Sequence, residues 1–290
     1  MEQNAEQQTR CGFVALIGAP NAGKSTITNN FVGSKVSIVS PKVQTTRTMV
    51  RGIGVYEQTQ IIFIDTPGIF KPKRRLDRAM VSSAWSGVKD ADIVVLVVDA
   101  KRGFDDETQS IVAKLNKQKI EAILVLNKVD LIAKEKLLGL SAQINAAGNF
   151  KETFMISALT GQNIEDFYKY LADNLPVSPW YYPEEQMSDM PLKLLAAEIV
   201  REKLFLYLRQ ELPYELTVEP ELWERREDGS VRAEMTIYVK RDNQKTIVLG
   251  RREIETELDE RVHLFLFVKV RENWIDDPAR YSAWNLDFNS

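Results

Sequence analysis

The fold follows from one stretch near the start of the chain, which reads Gly18-Ala19-Pro20-Asn21-Ala22-Gly23-Lys24-Ser25-Thr26. An apolar run over residues 13–17 precedes it and predicts a strand, and residues 26–32 predict a helix. A G-x-x-x-x-G-K-S motif between a strand and a helix is typical of a phosphate-binding loop. Its glycines let several backbone N–H groups converge on phosphate oxygens, and the helix N-terminus adds partial positive charge. All nine residues are therefore predicted to bind a nucleotide.

Two side chains in this loop have separate predicted roles. Lys24 can reach the β- and γ-phosphates and is a predicted catalytic residue, and the Ser25 hydroxyl can bind Mg²⁺. The alternative is an ordinary strand-to-helix turn with a chance match, which the number of fixed positions disfavours. The loop alone does not separate ATP from GTP, or a hydrolase from a kinase.

The composition indicates a two-domain protein. The chain has 290 residues, 44% of them apolar, and no apolar run approaches the length of a membrane span. Its net charge of −3 does not indicate a nucleic-acid or membrane partner, although a basic patch stays compatible with it. The one cysteine, Cys11, cannot form an internal disulfide, which fits a cytoplasmic location. Residues 1–10 are polar and predict a disordered tail.

Apolar runs alternate with helical patterns through residues 11–175, the predicted first domain. Strands are predicted at residues 48–56, 60–64, 93–98, 122–126 and 153–156. Helices are predicted at residues 105–117, 134–146 and 164–174. This alternation predicts an α/β fold, with a mostly parallel sheet and helices on both faces. Ligands of such sheets bind at the carboxyl ends of the strands.

The predicted strand at 60–64 ends in Asp65-Thr66-Pro67-Gly68. A carboxylate at this position can hold Mg²⁺ through water, so Asp65 is a predicted metal residue. The Gly68 N–H can sense a γ-phosphate, which would order the loop until hydrolysis releases it, and Gly68 is a predicted catalytic residue. All four residues are predicted to contact the nucleotide. A plain D-x-P-G turn is the alternative.

The predicted strand at 122–126 ends in Asn127-Lys128-Val129-Asp130. The Asp130 carboxylate can accept hydrogen bonds from both N1–H and N2–H of guanine, a donor pair that adenine lacks. Asn127 can tie this loop to the phosphate loop, and the Lys128 stem can cover the base. The next predicted strand ends in Ser157-Ala158, whose backbone can contact the guanine O6. These six residues are predicted to bind the base, and a plain polar loop is the alternative.

These motifs, in this order and spacing, resemble the P-loop GTPase domains of the translation-factor-related class. That class carries a switch threonine, and Gln44-Thr45-Thr46-Arg47 supplies one here. The resemblance implies a catalytic role and a Mg²⁺ contact for Thr46, with Thr45 as a close rival.

In many small GTPases a glutamine follows the glycine of D-x-x-G and orients the attacking water, whereas this chain has Ile69. Intrinsic GTP hydrolysis is therefore predicted to be slow or to depend on another charge. In some relatives an asparagine at the position of Asn21 binds K⁺, and here Asn21 either does so or only shapes the loop.

Arg74 and Arg75 are either phosphate contacts or part of a solvated basic face.

Four prolines in residues 176–191 predict a semi-rigid, extended linker. Beyond it, the pattern predicts helices at 192–210 and 252–259 and strands at 216–224, 233–239 and 262–268. A D-G turn at 227–230 joins the first two strands, and an apolar stretch at 246–250 precedes the second helix. We therefore predict an α+β domain over 192–275 and a C-terminal tail over 276–290. The tail's aromatic residues either stack on bases or pack in a core.

The second pattern resembles an RNA-binding KH domain that begins with a helix. A GTPase domain followed by a KH-like domain resembles the Era family of bacterial GTPases, and so do the local sequences Arg201-Glu202-Lys203-Leu204, Glu211-Leu212-Pro213-Tyr214 and Val262-His263-Leu264. The resemblance implies that GTP and GDP bind, that the second domain binds the 3′ end of 16S ribosomal RNA, and that the protein assists 30S subunit assembly. It also implies peripheral association at the inner membrane, and we expect a monomer. A regulatory GTPase with a protein or membrane partner is the alternative.

One family feature is missing from the sequence. A KH domain holds RNA with a G-x-x-G loop, but Gly250 is followed directly by Arg251-Arg252-Glu253-Ile254, and no later glycine occurs. The residues that would bind RNA therefore cannot be named. Residues 192–274 also carry 15 Lys and Arg against 17 Asp and Glu. Either the chain lacks the loop and the following helix, or the sequence is an abridged form. Loss of a packed helix would cost several kcal/mol of stability, which favours an abridged sequence.

Overall fold

The computed structural model describes residues 9–42, 45–249 and 261–289. Gln44, Gly250 and the predicted helix at 252–259 lie outside these ranges. The described residues form two compact units. Unit 1 contains residues 9–37, 46–189 and 285–289, and unit 2 contains residues 38–42, 45, 190–249 and 261–284. No helix within the described ranges is long and apolar enough to cross a bilayer.

Unit 1 is built on a six-stranded sheet in the order β2-β3-β1-β4-β5-β6. The strands are β1 (Arg10–Ile17), β2 (Val50–Tyr56), β3 (Thr59–Asp65), β4 (Ile93–Asp99), β5 (Ala122–Asn127) and β6 (Phe150–Met155). β2 is antiparallel to β3, and every other neighbouring pair is parallel. The predicted mostly parallel α/β sheet is confirmed.

Helices cover both faces of this sheet, and an apolar core lies on each side. They are α1 (Lys24–Val32), α2 (Arg75–Lys89), α3 (Asp106–Gln118), α4 (Lys134–Ala147) and α5 (Ile164–Asn174). The sequence pattern did not predict α2. Its buried face includes the small residues Ala79, Ala84 and Gly87, which a search for periodic large apolar side chains does not detect.

The proline-rich stretch belongs to unit 1 as far as residue 189, whereas the sequence pattern predicts a semi-rigid, extended linker over 176–191. The buried Gln60 accepts hydrogen bonds from the backbone N–H groups of Tyr181 and Tyr182, both at 3.0 Å. Further along, the Ile53 N–H donates to the Met187 carbonyl at 2.9 Å. The boundary between the units therefore falls after residue 189, whereas the sequence pattern placed the end of the first domain at 175.

Unit 2 has a three-stranded sheet in the order β7-β8-β9. Its elements are α6 (Leu192–Tyr207), β7 (Leu216–Arg225), β8 (Val231–Val239), α7 (Asp242–Leu249), β9 (Val262–Val270) and α8 (Pro278–Ala283). β7 and β8 pair antiparallel, β8 and β9 parallel. The predicted α+β fold of the second domain is confirmed, and the apolar stretch that begins at 246 lies in α7.

Two parts of unit 2 differ from the predicted boundaries. Residues 38–42 and Thr45, which we call the switch arm, belong to it and contact α6. The predicted tail from residue 276 is divided, because residues 276–284 belong to unit 2 and residues 285–289 to unit 1. Trp274 and Tyr281 are fully buried, which supports core packing for these aromatic residues.

Candidate functional site

The phosphate loop lies between the carboxyl end of β1 and the first residue of α1, as predicted. Gly23 has φ of +102°, and a Cβ atom there would lie 2.1 Å from Nδ2 of Asn127. The side chain of Asn127 approaches so closely because it donates to the Ala22 carbonyl at 2.9 Å. Only glycine meets both the conformation and the contact at position 23.

Lys24 is buried inside this loop. Its ammonium donates to the carbonyls of Gly18 at 3.2 Å and Ala19 at 3.1 Å. Burial lowers the pKa of Lys24 to about 8, although the nearby Asp65 carboxylate opposes the shift. A phosphate bound here would stabilise the charged ammonium, so the side chain is placed to neutralise an anion.

Three oxygen-bearing side chains meet at the start of α1 and the end of β3. Ser25 Oγ donates to Asp65 Oδ2 at 2.6 Å and lies 3.0 Å from Thr46 Oγ1. Thr45 points elsewhere, because its hydroxyl lies 2.6 Å from Ser40 Oγ and donates to the Lys42 carbonyl. The geometry therefore places Thr46 rather than Thr45 beside the predicted Mg²⁺ residues.

Asp65 fits a bound cation. It is fully buried, and its Oδ1 has no hydrogen-bond partner among the described residues. Burial raises the pKa of its carboxyl, and hydrogen bonds from Ser25 and Ser37 oppose that shift. Burying a carboxylate oxygen without a hydrogen-bond donor costs free energy. A hydrated Mg²⁺ ion would supply the missing positive charge and donor groups.

The predicted base-binding loop is tied to the phosphate loop. Asn127 accepts from the Ala158 N–H at 3.0 Å while it donates to Ala22, so one side chain links three loops. Lys128 Nζ donates to the Asn21 carbonyl at 2.6 Å. Asp130 is exposed in a short 3₁₀ helix, Val129–Leu131, where its carboxylate is open to a ligand. The contact of the Ser157-Ala158 backbone with guanine O6 stays a prediction.

The loop that follows β3 lies against the phosphate loop. Thr66 donates to the Leu16 carbonyl at 2.7 Å, and a Cβ atom on Gly68 would lie 2.8 Å from the Pro20 Cα atom. The Ile69 N–H donates to the Gly18 carbonyl at 3.0 Å, and its side chain is buried in the core. An apolar, buried side chain cannot orient a water molecule by hydrogen bonding.

Arg74 and Arg75 are exposed at the start of α2. The Arg75 guanidinium lies 4.4 Å from the ring centre of Phe288, which is a cation–π contact within unit 1. The structure therefore gives Arg75 a protein contact. A role of either arginine toward phosphate stays a prediction.

Sequence reasoning missed three residues at this site. Ser37 donates to Asp65 Oδ2 at 2.6 Å, Asp99 accepts from Lys128 Nζ at 2.6 Å, and Arg102 donates to the Pro20 carbonyl at 3.2 Å. Asp99 could have been found, because it ends β4 at the same sheet edge as Asp65 and Asn127. Ser37 and Arg102 carry no comparable signal in the sequence.

Comparison with known proteins identifies the family of the chain. Residues 13–128 match the family of 50S ribosome-binding GTPases. GTPase Era of Sinorhizobium medicae (strain WSM419) is 58% identical over 293 residues, covering 97% of this chain and 94% of the relative. GTPase Era of Bradyrhizobium sp. (strain ORS 278) is 57% identical, covering 99% of this chain and 98% of the relative. The chain belongs to the Era family of GTPases.

Two solved Era structures share the fold of both units. One is a crystal structure of Era in complex with MgGDPNP and nucleotides 1506–1542 of 16S ribosomal RNA, with a TM-score of 0.88, 34% identity and coverage of 95% of this chain and 98% of that chain. The other, a single-residue variant of Aquifex aeolicus Era bound to GDP·AlF4⁻, also has a TM-score of 0.88 and 34% identity and covers 95% and 99%. Era membership makes this chain a GTPase, as the four motifs predicted.

The alignment also bears on the missing G-x-x-G loop. It runs over 293 residues with the Sinorhizobium Era but covers only 97% of this 290-residue chain, so about a dozen aligned residues of the relative have no counterpart here. A loop and part of a helix are of this size. The alignment is therefore compatible with an internal deletion relative to the other Era proteins.

Proposed function

We propose that this protein is a Mg²⁺-dependent GTP switch that binds 16S ribosomal RNA and assists assembly of the 30S subunit. One observation carries the RNA part: the Era whose structure contains MgGDPNP and 16S nucleotides 1506–1542 matches 95% of this chain with a TM-score of 0.88. RNA of this sequence is therefore the first ligand to test.

In the nucleotide site, Ser25, Thr46 and Asp65 would hold the magnesium ion, and Lys24 and the loop N–H groups would bind the phosphates. When bound, Mg²⁺ supplies positive charge against the phosphate oxygens. Lys24 would place a positive charge beside the same oxygens. Burial disfavours the protonated ammonium, and a bound phosphate stabilises it again. The Gly68 N–H would contact the γ-phosphate, so the conformation of the loop after β3 would depend on whether that phosphate is present.

Hydrolysis is proposed to be slow without a further cation. Ile69 is buried and cannot orient water, so position 69 does not supply the polar side chain that many GTPases use there. We propose K⁺ beside Asn21 as the substitute charge. The GTPase rate should rise when KCl replaces NaCl, and Asn21→Ala should lose the increase while it keeps GDP affinity. Equal rates in the two salts would overturn the K⁺ proposal.

The RNA proposal is tested with the fragment 1506–1542 and a shuffled RNA of equal length and composition. With Mg²⁺ and a non-hydrolysable GTP analogue, we expect tighter binding of the true fragment than of the shuffled control. The logarithm of its association constant should fall linearly with the logarithm of salt concentration, because phosphate contacts release counterions. Equal affinity for both RNAs would favour the alternative of a regulatory GTPase with a protein or membrane partner.

Location and oligomeric state belong to the same proposal. We propose a monomer that works in the cytoplasm, where the ribosomal subunit is assembled. Peripheral association with the inner membrane stays a prediction from the resemblance alone. Sedimentation of the purified protein alone measures its oligomeric state. Sedimentation with vesicles of bacterial lipid measures membrane association.

A further inference from the structure

Ser37 lies outside every nucleotide-binding motif, yet its hydroxyl contacts the buried acid of the site. Asp65 Oδ2 accepts one hydrogen bond from Ser37 Oγ and one from Ser25 Oγ, both at 2.6 Å. Ser37 is 2% exposed. Two O–H donors on one carboxylate oxygen fix the rotation of the carboxylate, and they leave Oδ1 as the oxygen without a partner among the described residues.

Asn29 holds Ser37 in this position. Its Nδ2 donates to the Ser37 carbonyl at 2.7 Å, and its Oδ1 accepts from the N–H groups of Ser37 at 2.9 Å and Val36 at 3.0 Å. One amide therefore binds both the N–H and the carbonyl of Ser37. Asn29 follows Ser25 by four residues on α1, so both hydroxyl donors to Asp65 depend on the same face of one helix.

We propose that Ser37 is a positioning residue of the magnesium site and that Asn29 anchors it. The inference rests on the proposed function, because it assumes that Mg²⁺ and a guanine nucleotide bind beside Asp65. Without the Ser37 hydroxyl, the carboxylate keeps only its bond from Ser25 and can rotate. Loss of such an outer partner of a metal ligand typically weakens metal affinity about 10- to 100-fold.

The test measures the dissociation rate of a fluorescent GDP analogue against Mg²⁺ concentration, and again in excess EDTA. In Ser37→Ala, the Mg²⁺ concentration that gives half of the slowing should rise about tenfold. The rate in EDTA should equal that of the wild type, because base and phosphate contacts are intact. A purely structural defect would change the EDTA rate as well.

Ser83→Ala is the matched control. Ser83 is also a buried serine of unit 1, on α2, but its hydroxyl has no hydrogen-bond partner within the described residues. Its removal should leave the Mg²⁺ titration unchanged. Asn29→Ala keeps the Ser37 hydroxyl but removes its anchor. It should therefore raise the Mg²⁺ midpoint, as Ser37→Ala does, but by a smaller factor. It is the second variant to test if Ser37→Ala does not fold.

The outcomes separate this inference from the proposed function. If release from the wild type does not depend on Mg²⁺, the proposed function fails. If the wild type responds but both variants titrate within twofold of it, Ser37 does not position the site and the inference is overturned. A shift in Ser37→Ala with Ser83→Ala unchanged supports it.

Discussion

The Glu202 carboxylate accepts a hydrogen bond from the backbone N–H of Val39 at 2.8 Å, although 163 residues separate the two in sequence. Glu202 lies on α6 and is 3% exposed. The same helix provides Arg201, which donates to the Thr45 carbonyl, and the Phe205 carbonyl, which accepts from Lys42. Lys42 also donates to the carbonyl of Leu208, the residue that directly follows α6. Both ends of the switch arm are therefore bonded to α6.

Removal of this carboxylate should loosen the arm. A hydrogen bond to a charged group contributes about 1.5–3 kcal/mol, so we expect the Val39 amide of Glu202→Ala to exchange its hydrogen at least about tenfold faster. Hydrogen exchange read by NMR measures this rate. Glu227→Ala, which removes an exposed carboxylate from the hairpin turn, is the control, and equal protection of Val39 in both variants would contradict the prediction.

The arm is covalently continuous with Ser37 and Thr46, which flank it in the chain and contact the predicted magnesium residues Asp65 and Ser25, respectively. We expect nucleotide state to reach α6 through this arm, and not through residues 176–189, which are bound to unit 1. In Glu202→Ala, the ratio of RNA affinities between the GTP-analogue and GDP states should therefore fall toward one. An unchanged ratio would show that the coupling follows another route.

Lys24 should make nucleotide binding dependent on pH. Its pKa of about 8 in the nucleotide-free protein means that the ammonium loses its proton as the pH rises above that value. Phosphate stabilises the charged form, so GDP binding at about pH 9 should take up close to one proton, and affinity should fall up to about tenfold per pH unit.

Calorimetry in two buffers of different ionisation enthalpy counts these protons. Guanosine, which has no phosphate to stabilise the ammonium, is the control ligand. It should take up fewer protons than GDP, because only the partly ionised guanine N1 regains a proton when it binds, and the difference between the two ligands measures Lys24. Proton uptake that is equal for GDP and guanosine would assign the effect to a group other than Lys24.

Asp130 should determine base selection. Its carboxylate is the predicted acceptor for the guanine N1–H and N2–H, and it lies exposed in the short 3₁₀ helix after β5. Asp130→Asn replaces one acceptor oxygen with a donor, so affinity for GTP should fall by about 2–3 kcal/mol while affinity for xanthosine triphosphate rises. Competition between the two nucleotides measures the change. Asp166→Asn, on the exposed first turn of α5, should leave selectivity unaltered.

Particular residues show how far the sequence could predict this molecule. The strands of unit 1 were predicted because they are nearly continuous apolar runs, and the phosphate and base loops because their chemistry requires fixed residue types at fixed spacing. Gln60 gave no such signal, since its role depends on Tyr181 and Tyr182, far along the chain. Ser37 was missed for the same reason: only folding brings it to Asp65. Contacts between distant segments have no local pattern.

The missing G-x-x-G loop should limit the affinity of this chain for RNA. KH domains hold about four nucleotides of RNA backbone with that loop, and residues 192–274 of this chain offer no excess of positive charge in its place. Inserting a segment of about a dozen residues that completes the G-x-x-G motif after Gly250 should therefore strengthen binding of the 1506–1542 RNA by about tenfold or more.

The control is an insertion of equal length in which the glycine that completes the motif after Gly250 is replaced by aspartate. It should not strengthen binding, because this glycine allows the close approach of the RNA backbone. GDP affinity, which depends on unit 1, should be the same in all three proteins. The contrary outcome is that the insertion leaves RNA affinity unchanged while the unmodified chain already binds the fragment tightly and with a steep salt dependence. RNA recognition in this protein then does not use the loop, and other surfaces of the protein must supply the phosphate contacts.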